Sequence, residues 1–154
     1  MCLYVVCIGE QALEFDYLTG ARDRWLEFMC SCDPDFEIRP ATEAEMLDFE
    51  KEFGNIPAEY RYFLKKIGFC YVFSEHVDDI KSLIKSHRKF SEESKGLDGW
   101  SWEMRDVFII GWDGAGNPFG ICMKTQKIMI EYMGSGVEVF SDSFQELLEN
   151  GLPS

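Results

Sequence analysis

The sequence has 154 residues, 46% of them hydrophobic, a length and apolar content that predict one domain around one continuous core. Its 28 Asp and Glu against 15 Lys and Arg leave a formal net charge of −13 at pH 7 and a sequence pI near 4.5. Phosphate-backbone binding needs clustered cations, so this balance argues against direct nucleic-acid binding and favours a basic protein partner, although solubility alone accounts for such a charge as well.

The chain opens on an apolar run, Met1 to Ile8, with no preceding positive charge, and Gly9-Glu10 ends it far short of a signal peptide or a membrane span. No membrane association and a cytoplasmic location are therefore expected. Leu13, Phe15 and Tyr17 alternate with Ala12, Glu14 and Asp16, which predicts a hairpin over residues 2–8 and 12–18. From Ala21 the spacing turns helical: Ala21, Trp25, Phe28, Met29 and Cys32 follow a candidate cap at Thr19, and Asp33-Pro34 ends the helix.

Thr42-x-x-Glu45 is a capping box, and Met46, Phe49 and Phe53 behind it share one helix face. Gly54-Asn55 stops that helix. Pro57 opens the next, whose buried stripe is Tyr60, Phe63, Leu64 and Ile67 and whose natural end is Gly68. Phe69 to Phe73 reads as a buried strand. A third helix is expected from about Val77, with Asp78 and Asp79 at its positive end and Lys85, Arg88 and Lys89 at its negative end. The polar stretch Ser91 to Gly99 reads as a mobile loop leading to Trp100-Ser101-Trp102. Residues 107–112, 119–123, 128–132 and 137–140 then form an antiparallel meander, and a last helix starts at Ser141-Asp142-Ser143, where Asp142 with Gln145 and Ser143 with Glu146 are rival capping boxes. This order implies an α+β domain with helices packed on an antiparallel or mixed sheet.

Catalytic chemistry finds little to stand on. His87 shares a helix face with Leu83 and Ile84 and reads as a packing residue; His76 reads as an element boundary. No nucleophile elbow, phosphate loop or dinucleotide fingerprint occurs; the spacing of Gly111, Gly114 and Gly116 fits none of these, and a hairpin turn needing positive φ at Gly114 or Gly116 accounts for the glycines. Asp113 and Asn117 offer oxygens, but the remaining ligands of a calcium loop are missing. The six cysteines lie mostly among large apolar residues and read as buried thiols, and Cys30-Ser31-Cys32 has the wrong spacing for zinc. The expected cofactor and metal content is none, and no enzyme is expected.

Three segments in order carry a resemblance. Thr42 to Gly68, an acidic helix, a Gly, a Pro and an aromatic-rich helix ending in Gly, is similar to the opening of the SMI1/KNR4 (SUKH) family. Ile109 to Ile121 resembles that family's strand, glycine-rich turn and second strand, and Phe140 to Leu148 resembles its closing helix. The resemblance covers residues 25–154 as a family-like core of a single 1–154 domain, with residues 1–18 as an N-terminal extension. It implies a non-catalytic binding protein. Bacterial members commonly act as immunity proteins that neutralise toxin domains, many of them nucleases, and eukaryotic members serve as regulatory or scaffold proteins.

From Met129 to Ser154 there is no Lys or Arg, while Glu131, Glu138, Asp142, Glu146 and Glu149 are present. Trp100, Trp102 and Trp112 flank a loop and a turn, where aromatic residues serve as interface anchors or equally as caps on the core. The expected surface for a basic toxin domain is therefore Trp100, Trp102, Trp112, Asp113, Asn117, Glu131, Glu138 and Asp142.

Overall fold

Each helix is laid down by an apolar stripe and a local stop signal. The computed structural model describes residues 15–68, 70–72, 75–96 and 101–151, and every structural statement below concerns these. Helix α1 (Tyr17–Cys32) buries Leu18, Ala21 and Trp25. The strand expected over residues 12–18 is corrected at its end: Phe15 and Asp16 form a turn and Tyr17 already starts the helix. Phe15 and Leu18, three apart, are both buried, so the apolar residues that mimic strand alternation are the start of a helical stripe. Thr19 lies inside α1 and does not cap it, and Phe28, expected in the buried stripe, is 44% exposed. The strand expected over residues 2–8 lies outside the described residues.

Helix α2 (Glu43–Phe53) begins with the expected capping box: Thr42 Oγ1 accepts from Glu45 N–H at 3.2 Å, and Glu45 Oε2 accepts from Thr42 N–H at 2.8 Å. Helix α3 (Ala58–Lys66) follows with Pro57 at its N-cap and buries Tyr60, Phe63 and Leu64. It ends at Gly68, whose φ of +83° suits glycine and whose missing Cβ leaves room for Arg39 O; a Cβ added there would sit 2.0 Å from that oxygen. Strands β1 (Cys70–Val72) and β2 (Glu75–Val77) pair antiparallel. The third expected helix, α4 (Ile80–Glu93), starts three residues later than anticipated because Val77 belongs to β2, and Asp79 caps it by accepting from Ser82 N–H at 2.7 Å. It also takes Ser91 to Glu93 from the expected loop, of which residues 97–99 are not described.

Strands β3 (Val107–Trp112), β4 (Pro118–Cys122), β5 (Ile128–Tyr132) and β6 (Gly136–Ser141) form an antiparallel sheet in that order. Helix α5 (Phe144–Gly151) returns to pack beside it. Of the rival caps, Ser143 prevails: its Oγ accepts from Glu146 N–H at 3.0 Å, while the Glu146 carboxylate accepts from Asp142 N–H at 2.7 Å.

Cross-strand registers put Phe108, Ile121 and Ile128 in one row and Phe119 and Ile130 in another. These residues meet Phe49, Tyr60, Phe63, Phe144 and Leu148 in one buried cluster, so the helices cover this face of the sheet. A second row, Ile109, Gly120, Met129 and Val139, points to the opposite face because strand side chains alternate. Gly120 is required in it, since a Cβ there would lie 2.2 Å from Phe108 O.

Candidate partner-binding face

The face of the sheet away from the core helices is partly covered by the segment that enters β3. Glu131 on β5 opposes Val137 on β6, so both point to this side. The Glu131 carboxylate accepts hydrogen bonds from Glu103 N–H at 2.6 Å and Met104 N–H at 3.0 Å, clamping residues 103–104 across the strand. Trp102 beside them is fully buried and donates its Nε1–H to Glu93 at 2.7 Å. Two carboxylates thus hold one strap on the sheet.

This corrects the expected surface at two positions. Glu131 is 4% exposed and Trp102 is 0% exposed; both are spent inside the molecule and neither offers atoms to a partner. The physical reason is that the backbone N–H groups of the strap have no strand partner there, and a carboxylate is the acceptor that satisfies two at once. Trp100 lies outside the described residues. Trp112 is half-buried, with Trp102 edge-on at 5.8 Å and the Lys89 ammonium 3.9 Å above its ring.

Asp113 and Asn117 also serve the fold. Asp113 Oδ1 accepts from Ala115 N–H and Asn117 N–H, and Oδ2 accepts from the Asn117 amide at 2.9 Å. Asn117 Oδ1 in turn accepts from Met133 N–H at 3.0 Å, tying the β3–β4 turn to the β5–β6 turn. Gly116 supplies the positive φ, +83°, that this turn needs. Their polar atoms are committed to each other.

Glu138 and Asp142 are exposed, as a surface role requires. Asp142 is 3.3 Å from Lys127 Nζ, while Glu138 has no cation partner among the described residues. Glu149 is exposed as well, on α5, which packs on the helix-covered face of the sheet. Cations elsewhere are largely engaged: Arg61 bridges Glu43 and Glu50, and Arg88 holds Glu52 with two bonds at 3.0 and 3.1 Å. What the sequence did not reveal is the apolar company of Glu138: Val137 is 40%, Val139 51% and Met133 59% exposed. Their only signal was a β-branched alternation, which looks the same in a buried strand.

The two histidines show no catalytic geometry. His87 donates Nε2–H to Ile109 O at 2.8 Å and packs against Phe49 and Phe108, and burial pushes its pKa down to about 4. His76 is exposed on β2. Of the cysteines, Cys30 and Cys32 are exposed, against the expectation of buried thiols, because the last turn of α1 faces away from the core; Cys122 is half-buried. Among the described residues no group of three or more His, Cys, Asp or Glu side chains is placed to hold a metal ion, and no helix is long and apolar enough to cross a membrane.

The chain is an α+β domain whose helices cover one face of an antiparallel meander. A family profile described as SMI1 / KNR4 family (SUKH-1) matches residues 40–150, and the chain belongs to that family. Immunity-type proteins are among its members, and the family is generally non-catalytic. A search of the curated proteins finds no match.

Proposed function

We propose that the chain is an immunity protein that binds and neutralises a basic toxin domain, of the kind that is often a nuclease, by covering it stoichiometrically and without catalysis. The observation that carries this reading is charge segregation within an SMI1/KNR4 member: from Ile128 to the end of the chain there is no Lys or Arg, and Glu138, Asp142 and Glu149 are exposed there. A cationic cleft evolved to hold nucleic acid meets complementary potential on such a face.

The test is co-purification from the native host at low salt, identification of the bound protein by mass spectrometry, and co-expression of its toxic domain with and without this chain. Rescue of growth is expected. The association rate should fall with added salt and with the double charge reversal Glu138→Lys, Asp142→Lys, because surface charge acts mainly on encounter. No toxin domain among the bound proteins, or rescue that persists without any complex, would sink the reading.

A further inference from the structure

The two edges of the four-stranded sheet differ. At β3 a bulge leaves Ile110 as the extra residue; Ile110 O accepts from Asp78 N–H at 2.9 Å and Ile109 O from His87 Nε2–H at 2.8 Å, so this edge is closed by the backbone between β2 and α4 and by a side chain from the middle of α4. At the other end, residues 136–140 of β6 make no backbone hydrogen bond beyond the β5 ladder among the described residues. Open edges are ordinarily blunted by charged side chains, proline, a bulge or a covering element. Strand β6 has neither lysine nor proline; its one charge is Glu138, and its one bulge, at Phe140, lies beyond Val137 and Val139.

Exposure along the outer row rises toward this edge, from 1% at Ile109 on β3 to 51% at Val139 on β6. The Glu131 clamp brings the strap over β5, and Val137 and Val139 lie beyond it with Met133 at the adjoining turn. These three are half of the large apolar side chains that stand exposed among the described residues. Glu138 projects to the other side of the same strand. An apolar side, an acidic side and an unpaired ladder match an extended strand that alternates apolar and basic residues.

We propose that β6 is a docking edge on which an extended basic segment of the protein partner adds as a fifth strand, its apolar side chains against Val137 and Val139 and its Lys or Arg against Glu138. This rests on the reading that the partner is a basic protein, and adds where and how it is held. Charge selects this occupant over a second copy, since pairing two β6 edges brings the Glu138 side chains together between molecules of net charge −13 each.

The probe is a capped synthetic heptapeptide alternating lysine and valine, added to the full chain at low salt, with amide hydrogen exchange read by NMR. Exchange at those amides of residues 137–140 that point away from β5 should slow by about tenfold or more, and Val139→Lys should weaken binding by about tenfold with an unchanged unfolding midpoint. Peptides with glutamate for lysine, or with alternate amides N-methylated, should give no protection. Protection elsewhere, or equal binding by either control peptide, would overturn the proposal. So would slow exchange, without peptide, at the β6 amides that point away from β5, which would assign the edge to residues 1–14 of the chain or, if sedimentation gives a dimer, to a second copy. Capture of a host toxin domain undiminished by Val139→Lys would overturn the docking edge and leave the immunity reading standing, whereas failure to capture one would remove that reading while the peptide result still reports on the edge.

Discussion

Glu131 illustrates how a charge chosen for a partner turns out to serve the strap. Removing its carboxylate strands the buried Met104 N–H, at about 1–3 kcal/mol, and loses the part-buried bond from Glu103 N–H, worth about 1.5–3 kcal/mol as a bond to a charged group. Glu131→Ala should therefore lower the urea midpoint by the equivalent of about 3 kcal/mol, and Glu138→Ala should leave it within about 0.5 kcal/mol. Equal effects would mean that the clamp is not formed in solution. Two buried titratable groups make opposing demands on pH. Burial holds the His87 pKa at about 4 against an ordinary 6.5, so the unfolded chain binds a proton that the folded one refuses, and stability is lost as pH falls through 6.5 toward 4. Burial raises the Asp78 pKa from 3.8 to about 7, opposed by its hydrogen bond from Ser86 and assisted by Asp79; the folded chain then keeps a proton the unfolded one releases, and stability is lost as pH rises from about 4 toward 7. The two contributions, on the order of 3 kcal/mol each, nearly cancel over that interval. In urea titrations at pH 4 to 7, His87→Gln should lose stability with rising pH relative to the parent and Asp78→Asn should gain it; parallel profiles would show that neither group is shifted.

At the scale of elements, local signals and tertiary demands part company in instructive places. The Thr42–Glu45 box was legible because its bonds join residues three apart, and Thr42→Ala should cost about 1 kcal/mol in thermal or urea unfolding. Gly68→Ala should cost several times more, since it combines a positive φ with a Cβ overlapping Arg39 O; an effect no larger than that of Thr42→Ala would show that the 39–41 segment yields freely. Strand β2 and the start of α4 escape a reading of the sequence because His76-Val77-Asp78 carries no local strand signal. Its backbone is held by the pairing of His76 with Tyr71, five residues back, and by one long-range bond, Asp78 N–H to Ile110 O. Likewise the alternation of Phe15 and Tyr17 does not distinguish a strand from a helix start until Leu18 is seen to be buried with Phe15.

For the whole molecule, the cations sit mainly on the helices and meet helix carboxylates, as with Arg61 on Glu43 and Glu50 and Arg88 on Glu52. The stretch from Ile128 onward supplies no cation of its own, so Glu138 on β6 and Glu149 on α5 stand exposed without one among the described residues. Such exposed ion pairs contribute little to stability, so their value lies in the field they leave elsewhere. Association with a basic partner should slow by about tenfold between low salt and about 0.5 M salt, with a much smaller change in dissociation, as measured by stopped-flow; a salt effect confined to dissociation would place the contact away from this face.

The amino-acid sequence alone determined what depends on neighbours along the chain: the main helix stripes, the Thr42–Glu45 capping box, a turn at Gly114 or Gly116, the acidic balance and the three ordered segments that resemble the SMI1/KNR4 family. Tertiary structure decided which polar groups are free, because burial and hydrogen-bond partnership are settled between residues far apart in sequence. Glu131 and Glu138 differ little as letters in a strand. One faces the N–H groups of a crossing strap and the other faces solvent at the sheet edge, and only the assembled meander separates them.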